Sequence, residues 1–92
     1  LVNGMKLTKL NLTNRQLQVL LCVIDASHQG VRPYTWQLVK RMAAKGHEIT
    51  EKQCSYDLSV IIRTKGTGVY SMKCDNRPKL WIYEAPKTDV NS

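Results

Sequence analysis

The sequence predicts an α+β fold, a three-helix bundle closed by a C-terminal two-stranded β-hairpin. Three observations carry the prediction. Apolar residues recur at helical spacing in three successive segments, and two of those segments open with the same capping signature. After the glycines of TKGTGV the pattern changes to strand-like alternation on either side of a turn.

The first helix starts in LNLTNRQLQVLLCVIDASHQG. Thr13 is the N-cap and Gln16, three residues on, completes a capping box, with Leu12 and Leu17 as the hydrophobic staple. Leu17, Leu20, Leu21 and Ile24 repeat at helical spacing, and Val19, Cys22 and Val23 widen the apolar arc until Gly30 ends the helix. Such a helix belongs at the centre of the fold. Pro33 then forces an extended segment at Val31–Arg32. Thr35 is read as the cap of a second helix over Trp36–Lys45, whose inner face is Leu38, Val39 and Met42 with Ala43 beside them. Gly46 stops it.

After the short turn HEI, Thr50 and Gln53 repeat the capping box, and Ile49 and Cys54 repeat the staple. The third helix is expected over Glu51–Thr64, with Cys54, Leu58, Ile61 and Ile62 turned inward. At about 100° per residue, Lys52, Ser55, Tyr56, Ser59 and Arg63 share the opposite stripe, with Glu51 and Asp57 on its flanks. VYSMK and KLWIYEA then alternate as strands around the turn chemistry of CDNRP. Leu80 and Ile82 fall on one face of the hairpin and Trp81 and Tyr83 on the other. Residues 1–7 read as an N-terminal extension, with residues 1–4 partly foreign to the natural chain and Met5 a candidate start; 8–85 form the domain and 86–92 a polar tail.

Ninety-two residues suffice for one core. The chain carries a net charge of +7, and residues 32–79 hold ten Lys/Arg against four acids, which is +6 of that excess. A polyanion is the partner such a surplus suits, because each neutralised phosphate releases condensed counterions. No apolar run approaches the roughly 18 residues of a membrane span, so no membrane role is expected. The three cysteines share no close spacing, which argues for reduced thiols and a cytoplasmic setting. No nucleophile, metal or phosphate-loop motif is present, so no enzyme activity, catalytic residue, metal, cofactor or small-molecule ligand is expected. His28 and His47 are explained by their places at helix ends. Trp36 and Trp81 are assigned to packing, with a stacking platform for single strands as the alternative.

The element order resembles the winged helix-turn-helix family over residues 8–85. QLVKRMAAKGHEITEKQCSYDLSVIIRTKG carries the two-helix unit and VYSMKCDNRPKLWIYEA the wing. The resemblance implies double-stranded DNA as partner and a repressor-like transcriptional regulator, in which the second helix of the motif reads the major groove. It also implies that the wing tip, through Asn76, Arg77 and Lys79, meets the flanking minor groove or its phosphates. Groove dimensions independently suit a helix, at about 12 Å each. Ser55, Tyr56 and Ser59 are then expected to read sequence, and Lys52 and Arg63 to reach guanine or phosphate. Lys40, Arg41 and Lys65, with the helix start at Thr35, are expected on phosphates. One domain offers a modest interface, so two copies on a two-fold site are expected, through the first helix and the segment KLTKLNL. The alternative is a winged-helix module that binds protein, for example in a phage, plasmid replication or partition complex.

Overall fold

The computed structural model describes residues 10–86. The expected extension at 1–7, most of the KLTKLNL segment and nearly all of the polar tail lie outside the described residues. Three helices, α1 (Asn14–His28), α2 (Thr35–Ala44) and α3 (Glu51–Arg63), precede an antiparallel hairpin of β1 (Val69–Met72) and β2 (Leu80–Tyr83). This is the α+β arrangement, three helices and a wing-like hairpin, that the sequence predicts. Among the described residues no helix is long and apolar enough to cross a membrane.

The helix starts are local products of sequence. Thr13 and Gln16 close a full capping box on α1, and Thr50 and Gln53 do the same on α3. The start of α2 differs from expectation. Its N-cap is Tyr34, whose backbone N–H donates to Gln37 Oε1 at 2.8 Å, and Thr35 is already helical. The Thr35 hydroxyl instead accepts a 2.9 Å hydrogen bond from Trp81 Nε1, so a tertiary partner took the group that local reading assigned to the cap. Lys45 and Thr64, read as the last helical residues, are the C-caps of α2 and α3.

The core is Val19, Leu20, Cys22 and Val23 of α1, Leu38 and Met42 of α2, Cys54, Leu58 and Ile61 of α3, and Val69 and Trp81 of the hairpin. Two expected core positions are corrected. Ile62 is 38% exposed, because it lies about 100° from Ile61 around the helix, toward the polar stripe. Ala43 is exposed on α2, about 100° around the helix from Met42 and about 140° from Leu38.

Residues 31–34 extend the hairpin into a third, minimal strand. Tyr34 bridges Leu80 in antiparallel fashion, and the Trp81 N–H donates to Pro33 O at 2.9 Å. Directly opposed residues share a sheet face, so the register assigns Pro33, Trp81, Tyr83, Val69 and Ser71 to the core side. Tyr34, Leu80, Met72, Ile82 and Tyr70 occupy the outer side. The division of β2 into Leu80/Ile82 and Trp81/Tyr83 faces is the one the alternation predicts. Ile82 is nonetheless buried on the outer side, at the centre of that face.

Candidate nucleic-acid interface

The second helix of the pair, α3, is held by an ion pair with one buried partner that the sequence did not reveal. Asp57, read as a flanking surface acid, is fully buried. Its carboxylate accepts from Arg15 Nε at 2.7 Å and Arg15 Nη2 at 3.0 Å, with Gln16 Nε2 at 3.4 Å. This two-pronged pairing fixes both position and direction. It locks the rotation of α3 about its axis against the first turn of α1. The same hydrogen bond raises the Arg15 guanidinium pKa.

That rotation sends the predicted stripe to solvent. Lys52, Ser55, Tyr56 and Arg63 are exposed, and Ser59 is half-buried. Tyr56 is the most exposed large hydrophobic side chain among the described residues, at 60%. The Ser59 hydroxyl donates to Tyr56 O at 2.6 Å, which commits its proton and leaves its oxygen outward as an acceptor. Ser55 has no such bond among the described residues.

The helix ends beside the hairpin. The Thr67 hydroxyl, buried, donates to Ile61 O at 3.0 Å, a carbonyl that also accepts from the Thr64 N–H at 3.1 Å, and so ties the loop to the end of α3. Gly68 then takes a left-handed φ of +76°, and its carbonyl accepts from the Glu84 N–H at 2.7 Å, closing the base of the hairpin. At the other end the tip turns at Asp75, with φ +41°, and the Arg77 N–H donates to Cys74 O at 2.8 Å. Lys73, absent from the predicted site, folds under the tip and donates to the carbonyls of Arg77 (2.6 Å) and Asp75 (3.2 Å). Asn76, Arg77 and Lys79 remain exposed.

The remaining predicted residues divide. Lys65 is exposed, whereas Arg41 is half-buried and donates to Gln29 Oε1 at 2.9 Å. Lys40 is exposed and its ammonium lies 5.2 Å from the centre of the Trp36 ring. Thr35 is half-buried and engaged by Trp81. Trp81 is buried as expected, but Trp36 is 43% exposed and stacks on Tyr34 at 6.4 Å between ring centres, 16° from parallel. The assignment of Trp36 to packing is therefore corrected. It sits about 200° around α2 from Leu38, away from the buried face of the helix.

The two ion pairs among the described residues are Arg15–Asp57 and Lys45–Asp25. Neither uses a predicted interface cation. Lys40, Lys52, Arg63, Lys65, Arg77 and Lys79 thus have no carboxylate partner among the described residues. Comparison of the chain with protein-family models, with curated proteins and with solved structures returned no match in any of the three.

Proposed function

We propose that the protein binds double-stranded DNA and acts as a small, repressor-like transcriptional regulator. In this reading α3 enters the major groove and the tip at 74–79 meets the flanking backbone or minor groove. The observation that carries it is the outward stripe of α3, whose cations have no carboxylate partner among the described residues and whose small side chains allow close approach of a base edge. Lys52 and Arg63 supply charge at the two ends of the stripe. Ser55, Tyr56 and Ser59 supply the polar contacts between them. Ser59, with its proton committed, favours a base-edge donor such as an amino group of adenine or cytosine.

Selection of bound duplexes from a random pool, at two salt concentrations, tests the proposal. The expected result is an enriched sequence whose affinity falls steeply with salt. Tyr56→Ala and Ser59→Ala should then alter the ranking of sites. A pool that shows no retention at low salt sinks the DNA reading. Tolerance of changes at Lys52, Arg63 and Arg77 would favour a protein-binding module instead.

A further inference from the structure

The outer face of the sheet forms a second surface, separate from the α3 stripe. One row runs across it through Trp36, Tyr34, Leu80 and Met72, since Trp36 stacks on Tyr34 and Leu80 opposes both Tyr34 and Met72. The next row holds Tyr70 opposite Ile82, and Arg32 shares a cleft with Ile82. Ile82 is buried beneath its neighbours, whereas Trp36, Tyr70 and Met72 are exposed by 43%, 44% and 37%. Strands lie about 4.8 Å apart, so Tyr34 and Tyr70 stand roughly two strand spacings apart, with the Trp36 ring 6.4 Å from that of Tyr34.

We propose that this face binds single-stranded nucleic acid by stacking bases on Trp36, Tyr34 and Tyr70. Tyr34 and Tyr70 on the sheet, with Trp36 beside them in the first turn of α2, offer ring surfaces that unpaired bases match and paired bases, locked inside a duplex, do not. The charges agree. Lys40 stands over the indole and Arg32 at the second row, where phosphates beside stacked bases would lie. Glu84, two residues beyond Ile82 on this face, is at its far end. A second copy docked face to face is the poorer occupant, because a two-fold contact would bring this basic surface against itself. The shelf is also rigid. Trp81 donates to both Pro33 O and Thr35 Oγ1, tying the start of α2 to β2 on either side of Tyr34.

The test uses a labelled oligothymidylate of about 12 nucleotides and an abasic oligonucleotide of the same length and charge. Emission from exposed Trp36 should be quenched by the thymidylate and unaffected by the abasic strand, while buried Trp81 serves as the internal reference. By anisotropy, Trp36→Ala and Tyr70→Ala should each weaken thymidylate binding by about tenfold, and Arg63→Ala should leave the stacking-dependent quench intact. Both variants alter exposed side chains, and circular dichroism with Trp81 emission confirms that they fold. Equal affinity for the abasic strand overturns the proposal, as does unchanged affinity in both variants. Absence of binding, with a dimer that Tyr70→Ala dissolves, overturns it in favour of a second copy.

Discussion

Arg15 and Asp57 are unequal halves of their ion pair. The Arg15 side chain is 41% exposed, whereas Asp57 is fully buried. Removing Asp57 leaves a guanidinium that can turn to water; removing Arg15 leaves a carboxylate sealed in the core. Arg15→Ala is therefore expected to cost the larger amount, about 3–5 kcal/mol, and Asp57→Ala clearly less, both measured by urea unfolding. The cysteines divide in the same way. Cys22 and Cys54 are buried and Cys74 is exposed at the tip. Burial pushes the Cys54 thiol from 9.0 up to about 12, and raises Cys22 as well. A thiol reagent at pH 8 should modify one cysteine per folded chain and all three in denaturant. The raised value also sets a pH window. Stability from the neutral Cys54 thiol is complete below pH 9, where the unfolded thiol begins to ionise, and is lost as pH rises toward 12. Cys54→Ala should flatten that alkaline decline in unfolding free energy.

Each helix owes its position partly to signals within five residues and partly to partners far along the chain. The first kind was readable. Thr13/Gln16 and Thr50/Gln53 act only on their own helix starts, so their pattern in the sequence was enough to locate α1 and α3. The outward stripe of α3 was readable too, since helical geometry alone opposes it to Cys54, Leu58 and Ile61. The second kind was not. Asp57 looked like a surface acid because the cation that permits its burial lies 42 residues away. Thr35 looked like a cap because Trp81, which takes its hydroxyl, lies 46 residues away. Trp36 reads as a packing residue by its size, although its place about 200° around α2 from Leu38 already turns it outward. The hairpin depends on Gly68, where a Cβ would run into the carbonyl oxygen of Glu84 and the backbone is already left-handed. Gly68→Ala should cost about 1–3 kcal/mol, seen as a lower melting temperature and a red shift of Trp81 emission.

The net charge of +7 acts through the whole molecule. Neither described ion pair uses a predicted interface cation, so none of those charges is neutralised by a carboxylate at salt-bridge distance among the described residues. Duplex affinity, if the proposed function holds, should fall linearly on logarithmic axes with salt, and Lys65→Ala should reduce the slope by about 1 without changing the ranking of sites. Arg41→Ala should do less, because its guanidinium is already engaged by Gln29. The tie between β2 and the start of α2 has a consequence in time. Synthesis delivers Leu80–Tyr83 after every other element of the fold, yet these residues cover Pro33 and anchor Thr35. Until they emerge from the ribosome, β1 lacks its pairing partner and Pro33 and Thr35 lack theirs, and the loop to be closed is long. Completion is thus a single late event, and the Trp81 amide should exchange with solvent only when the entire chain opens.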